Sequence, residues 1–330
     1  MSTLEEILRV RDLRKFFPIK GTSLLRRKKR YIRAVDGVSF HINRGETFGI
    51  VGESGCGKTT LARVLLRLTE PSGGQIYYDG QNITALDKKG LKELRRKLQM
   101  IFQDPYSSLD PRKTIFNIVA EPLKVHRVAR GSALDEKIKE ALALVDLPTS
   151  RDFLEKVPDE LSGGQRQRVG IARALVLGVE FIVADEPVSM LDASVKAGVT
   201  SLLMDLKHKI GLTYVFITHE IGLAYYTCDR IAVMYLGKIV ELGKAESVIK
   251  SPLHPYTRLL MDAIPPLLPD EQWGKRVSER GEMPLSLEAP KGCRFHPRCA
   301  IADEGCLVDE PVLKEITSGH YVACSKPGRK

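Results

Sequence analysis

The chain has 330 residues, 43% hydrophobic and 28% charged, with a formal net charge of +10. This is the composition of one or two ordinary folded domains and excludes a disordered or fibrous chain. No apolar run reaches the roughly eighteen residues of a bilayer-spanning helix. The segment from Met1 to Arg11 carries Glu5 and Glu6 and lacks a signal-peptide core, so the expected compartment is the cytoplasm. The positive charge permits contact with nucleic acid or an anionic membrane surface and does not choose between them.

Residues 7–51 read as strands and turns. Within them the run Arg26-Arg27-Lys28-Lys29-Arg30, extended by Arg33, reads as a solvated loop between strands; the alternative is a loop near lipid headgroups or a nucleotide's phosphates. A buried strand expected at 46–51 leads into Gly52-Glu53-Ser54-Gly55-Cys56-Gly57-Lys58-Thr59-Thr60, and a helix follows through Leu66. Strand, glycine-rich loop and helix in that order make a phosphate cradle. Gly52 and Gly57 let the backbone approach phosphate oxygens, and the helix start favours anions. Lys58 reaches the β and γ phosphates, and the Thr59 hydroxyl suits Mg²⁺.

Ser72-Gly73-Gly74 reads as a turn before a strand at 75–78, and Asp79-Gly80 as another turn. A short basic helix is expected over 91–97 and a strand over 99–103, ending at Gln103. Its amide could touch Mg²⁺ and a water. Residues 111–160 read as an inserted helical lobe, with helical spacing of Ile138, Leu142 and Val145. Leu161-Ser162-Gly163-Gly164-Gln165 then precedes a helix over 166–177 and offers a second anion-binding geometry of hydroxyl and backbone N–H groups.

Phe181 to Pro187, F-I-V-A-D-E-P, is an apolar strand ending in two carboxylates. Asp185 suits Mg²⁺ and Glu186 suits a general base acting on water. A long helix is expected over 193–210 and a strand over 213–217 before His219. That residue could contact a γ-phosphate, although a lone histidine is more often structural or exposed. Residues 231–235 and 239–242 flank Gly237-Lys238 as a hairpin. Alternating strands and helices give an α/β core with a mostly parallel sheet. Pro252, Pro255, Pro265, Pro266 and Pro269 mark the passage to a separate appendage.

Of six cysteines, Cys56 lies in the cradle and Cys228 is isolated. Cys293, Cys299, Cys306 and Cys324 cluster with gaps of five, six and seventeen residues. Clustered thiols in a cytosolic chain suggest metal. Zinc sites usually include a two-residue gap, absent here, whereas iron–sulfur clusters take four thiolates at more varied gaps. His296 and His320 keep zinc open, and free thiols or disulfides are the third reading.

The order of these motifs resembles the nucleotide-binding subunits of ATP-binding-cassette (ABC) transporters over roughly residues 7–250. The fold this implies is α/β: a P-loop NTPase ABC-ATPase core with an antiparallel β subdomain and an inserted helical subdomain. It spans 1–250, with the helical part at about 104–165, and a cysteine-containing extension follows over 251–330. The resemblance assigns Gly52, Ser54, Gly55, Cys56, Gly57, Lys58, Thr59, Thr60, Gln103, Asp185, Glu186 and His219 to ATP and Mg²⁺ on this chain's own cradle. Glu186, His219 and Gln103 are then the catalytic set, with Thr59, Gln103 and Asp185 toward Mg²⁺. Ser162, Gly163, Gly164 and Gln165 go to ATP held by a second subunit. Phe17 is the expected adenine-stacking aromatic, with Phe16 and Tyr31 as alternatives. Ser189-Met190-Leu191-Asp192 would cross the dimer seam; the family usually has Ala where Met190 stands.

The flank D-P-Y-S-S-L-D-P-R after Gln103 and S-P-L-H-P-Y-T-R-L-L at 251–260 resemble the oligopeptide/dipeptide (nickel) branch of ABC importers. G-C-R-F-H-P-R-C-A resembles that branch's C-terminal extension, whose cysteines hold a 4Fe–4S cluster; the family has Pro where Ala300 stands. The implied partners are a second, related but non-identical ATP-binding subunit arranged head to tail, two transmembrane permease subunits and an extracytoplasmic solute-binding protein. The implied place is peripheral, on the cytoplasmic face of the cell membrane, with no nucleic acid bound. Oligosaccharide or nickel cargo is an alternative within the branch. A soluble ABC protein acting on nucleic acid or ribosomes is the rival class, and it usually carries two cassettes per chain. An exporter subunit, the second rival, lacks the cysteine extension.

Overall fold

The computed structural model describes residues 5–19, 30–263 and 289–329. Arg26 to Lys29 of the basic run and Pro265, Pro266 and Pro269 lie outside them. In chain order come β1 (Glu6–Ile19), β2 (Arg30–Asn43), β3 (Thr47–Val51), α1 (Lys58–Leu65), β4 (Gly73–Tyr78) and β5 (Gln81–Asn82). Next are α2 (Lys88–Lys97), β6 (Leu98–Ile101), α3 (Pro105–Ser108), α4 (Ile115–Val125), α5 (Ser132–Leu144), α6 (Arg151–Glu155) and α7 (Gly163–Leu175). Then follow β7 (Phe181–Asp185), α8 (Ala193–Ile210), β8 (Thr213–Thr218), α9 (Ile221–Thr227), β9 (Arg230–Tyr235) and β10 (Lys238–Lys244). The chain ends with α10 (Ala245–Lys250), α11 (Pro255–Asp262), α12 (Glu304–Val308), β11 (Lys314–Thr317) and β12 (His320–Val322).

The chain packs as two compact units: Met1–Ile42, Thr47–Thr84 and Thr218–Lys330 form one, Asn43–Glu46 and Ala85–Ile217 the other. In the first unit, an antiparallel sheet runs in the order β2-β1-β4-β5, with Leu8 opposite Tyr78 and Val10 opposite Ile76. Ile7, Leu8, Val10 and Leu13 of β1 are buried. Its other strands run β11-β12-β10-β9-β3. β3 and β9 are parallel, with Ile50 opposite Ala232, and every residue of β3 is buried. That explains why Phe48, Ile50 and Val51 put apolar side chains on both faces, since a strand covered on both faces has no solvent side. The expected hairpin at 231–242 is present as β9–β10, and Leu236 and Gly237 both take positive φ at its tip.

The described residues after 251, at 252–263 and 289–329, group with this first unit. Two long-range devices draw them in. β12 pairs with β10, Val322 opposite Glu241. The fully buried Glu241 carboxylate accepts hydrogen bonds from Leu253 N and His254 N, both at 2.9 Å, and from His320 Nε2 at 2.7 Å.

In the second unit β6, β7 and β8 run parallel, with Ile101 opposite Ala184 and Ala184 opposite Phe216. α7 packs against α3, α4, α5 and α8. Arg173 Nη1 donates to Ser108 O at 2.6 Å and Arg168 Nη1 to Val145 O at 2.9 Å. The helix expected to begin at Arg166 begins at Gly163, so both signature glycines are helical.

Candidate nucleotide site and thiol cavity

In the first unit, β3 delivers the chain into the glycine-rich loop and α1 carries it away. Gly52 has φ +154° and Gly57 φ +111°. A Cβ on Gly57 would lie 2.0 Å from Ala34 O, and one on Gly52 2.3 Å from Met234 O. The glycines are therefore required twice, by backbone conformation and by backbone crowding. Gly57 caps α1 with no side chain over the helix end, which leaves that end open to an anion. The buried Lys58 ammonium donates to Gly52 O at 2.8 Å and Glu53 O at 2.9 Å, so it lies across its own loop. Ser54 and Gly55 are exposed, and Cys56 is buried with its thiol pushed up by burial. Thr59 and Thr60 open α1, half-buried.

Phe17, on β1, is 37% exposed, and Lys15 Nζ stands 4.9 Å from its ring centroid. Phe16 has the Arg33 guanidinium 5.7 Å from its ring, and Tyr31 is exposed on β2. His219 follows β8 in an exposed position.

In the second unit Asp185 ends β7 buried, and Glu186 follows it with φ +47°. A non-glycine residue in the left-handed region costs about 1–3 kcal/mol and is held by its surroundings. Here Glu186 N donates to Ile217 O at 2.9 Å, and Glu186 O accepts from Ser189 N at 3.2 Å and Ser189 Oγ at 3.1 Å. Gln103 Nε2 donates to Glu186 Oε2 at 3.0 Å. Sequence order separates these two residues by 83 positions; the parallel β6–β7 pair sets them side by side.

The signature forms a reciprocal cap on α7. Ser162 Oγ accepts from Gln165 N at 3.3 Å, and Gln165 Oε1 accepts from Ser162 N at 3.1 Å. Gly164 is tight for a packing reason: a Cβ there would lie 2.6 Å from Val195 Cγ1. The Arg166 guanidinium stacks over Tyr106 at 4.2 Å, which fastens the segment after Gln103 to α7.

The four clustered cysteines line one cavity of about 380 Å³ in the first unit, and none of them is in a disulfide. Burial pushes Cys293 up to about 11, and the thiols of Cys306, Cys324 and Cys299 add to the rise. Burial also raises Cys324. Among the described residues no group of three or more His, Cys, Asp or Glu side chains is arranged to hold a metal ion. Two residues that the sequence reading missed converge on the loop itself. Arg298 grips the Glu53 carboxylate with two hydrogen bonds, and the Tyr256 hydroxyl accepts from Glu53 N at 3.0 Å. Neither carries a local signal, being 245 and 203 positions away.

Residues 35–189 match the family described as ABC transporter, and residues 240–306 match the oligopeptide/dipeptide transporter C-terminal region. The chain is 46% identical to the oligopeptide transport ATP-binding protein AppF of Bacillus subtilis, covering 97% of each chain. It is 42% identical to the dipeptide transport ATP-binding protein DppF of Haemophilus influenzae, covering 96% of each. The ATP-binding cassette MJ0796, in a dimeric post-hydrolysis state with ADP and Pi, shares the fold at a TM-score of 0.63 and 30% identity, over 72% of this chain and 99% of that one. No described helix is long and apolar enough to cross a membrane. With its phosphate loop, its capped signature helix and its paired Gln103 and Glu186, the chain belongs to the ATP-binding subunits of ABC transporters, in the branch that carries the oligopeptide/dipeptide C-terminal region.

Proposed function

We propose that this chain hydrolyses ATP to drive import of di- or oligopeptides, sitting peripherally on the cytoplasmic face of the membrane. The observation that carries the reading is one chain bearing both the nucleotide motifs and the peptide-transporter C-terminal region. Lys58 and the loop N–H groups would hold the β and γ phosphates, with Thr60 and His219 serving the phosphate end; Thr59 and Asp185 are each residues of the kind that would hold Mg²⁺, whose charge would offset that of the phosphates. Glu186 takes the proton of the attacking water as its oxygen bonds to the γ-phosphorus and the bond to ADP breaks. The Gln103 amide orients the Glu186 carboxylate through its 3.0 Å hydrogen bond. Phe17 stacks on the adenine. Ser162, Gly163, Gly164 and Gln165 present the capped start of α7 to ATP on the second, non-identical ATP-binding subunit.

Glu186→Gln tests the chemistry: turnover should fall at least about 100-fold while ATP-dependent dimerisation persists. Undiminished turnover removes Glu186 as the base. Co-purification with two permeases and a solute-binding protein supports import, and bound RNA or DNA overturns it.

The four cysteines hold a 4Fe–4S cluster as a staple for the extension. What supports this reading is that the four cysteines, outside any disulfide and partly buried, line one cavity. When bound, the cluster would supply the crosslink between the four thiolates. Iron and sulfide in anaerobically purified protein, with the matching visible absorbance, support this. Colourless protein with stoichiometric zinc overturns it.

A further inference from the structure

The segment from Cys293 to Cys299 is a strap between the thiol cavity and the phosphate loop. Cys293, Phe295, His296 and Cys299 line the cavity, while Arg294 and Arg298 reach partners outside it. Arg294 donates to Leu236 O and to the Asp36 carboxylate, both buried contacts. Phe295, 2% exposed, packs edge-on to Tyr235 at 5.3 Å and against Tyr256 at 5.4 Å. Arg298 then meets Glu53 in a two-pronged pair: Nη1 to Oε2 at 2.9 Å and Nη2 to Oε1 at 3.0 Å. Its side chain is only 11% exposed, and its guanidinium lies 5.9 Å from the Tyr235 ring.

Glu53 is the second residue of the phosphate loop, and the strap and its neighbours fix it at three points. Its N–H goes to Tyr256, its carbonyl accepts from Lys58 Nζ, and its carboxylate accepts from Arg298. A carboxylate in this position is a liability, because the loop's ligand is a polyanion. Pairing with a fixed guanidinium removes most of that repulsion and holds the carboxylate turned toward the strap.

We propose that Arg298 is a positioning residue for ATP: it neutralises and orients Glu53, so that the cysteine-ended strap sets the affinity of the phosphate loop. This rests on the reading that residues 52–60 hold the phosphates. The test is ATP affinity of the full-length chain, measured by titration with ATP, for Arg298→Ala, Arg298→Lys, Glu53→Gln and the double variant Arg298→Ala/Glu53→Gln. Arg298→Ala should bind ATP about tenfold more weakly, the size expected from exposing one like charge at the intermediate dielectric of a protein surface. Arg298→Lys should lie between it and the native chain. The double variant should recover most of the affinity, because the unpaired charge is gone; a merely structural arginine would not be rescued by removing its partner's charge. Glu53→Gln alone keeps the side-chain shape and should bind at least as tightly as the native chain. Unchanged affinity in folded Arg298→Ala, or a double variant as weak as Arg298→Ala, overturns the inference. A Lys58→Ala arm separates the two levels: if it binds ATP normally, the loop reading itself fails, and if it loses ATP while Arg298→Ala does not, only the role of Arg298 fails.

Discussion

Replacing Gly164 with alanine tests whether the second signature glycine is demanded by packing. The added Cβ would lie 2.6 Å from Val195 Cγ1, with Val195 Cβ at 3.9 Å. Carbon atoms meet at about 3.5–4.0 Å, so one of the two groups must move by roughly 1 Å. Val195 is β-branched and sits in the first turn of α8, where one χ1 rotamer is strongly favoured. Overpacking of this kind costs about 1–3 kcal/mol. Alanine's helix propensity returns up to about 1 kcal/mol, leaving a net loss of about 0–2 kcal/mol when that return is complete. Val195→Ala removes the offending methyl groups. Urea unfolding of the native chain, both single variants and the double variant then gives a cycle whose coupling energy should reach about 1 kcal/mol in favour of the double variant. Additive losses, within about 0.3 kcal/mol, would refute the clash and leave Gly164 without a packing explanation.

Gln103→Ala removes the amide that holds Glu186, so kcat for ATP should fall about tenfold or more, the loss expected for a hydrogen bond to a charged group, while the KM for ATP moves little. A kcat equal to that of the native chain would show that the backbone alone orients Glu186. Glu241→Ala strands the three donors that converge on its carboxylate and should lower stability by about 3–5 kcal/mol. Chemical denaturation measures this, and a loss under about 1 kcal/mol would mean the residues after 251 are held by other contacts. Burial depresses His254 to about 4 from its ordinary 6.5, so between those values the unfolded chain binds a proton that the folded chain refuses. This contribution to stability is whole above pH 6.5 and is lost as pH falls to about 4, up to about 3 kcal/mol. His254→Asn, whose amide oxygen can still accept from Tyr256 N, should flatten that slope; an unchanged slope assigns it to other groups.

Particular residues show how far the sequence carried. The strand, loop and helix around Lys58 were legible because each signal is local: a run rich in apolar residues, glycines where the backbone must turn, and a helix start at Lys58. The long helix at 193–210 has the bounds its sequence suggests. The start of α7 was read three residues late. Two adjacent glycines argue against helix, but Ser162 and Gln165 form the reciprocal cap that starts it. That signal was present in the serine-to-glutamine spacing.

The sequence by itself determined the family, because a glycine-rich loop and a two-carboxylate strand end are made by neighbours in the chain. Only the tertiary structure decided which partners those motifs depend on. Gln103 reaches Glu186 through parallel strand pairing, Gly164 is needed because Val195 lies over it, and Glu53 is held by Arg298 and Tyr256. The physical reason is that a side chain's own chemistry is written at its position, whereas charge neutralisation and close packing belong to pairs. Those pairs are chosen by strand register and by the buried Glu241 clamp, and neither leaves a mark in the spacing of the residues it joins.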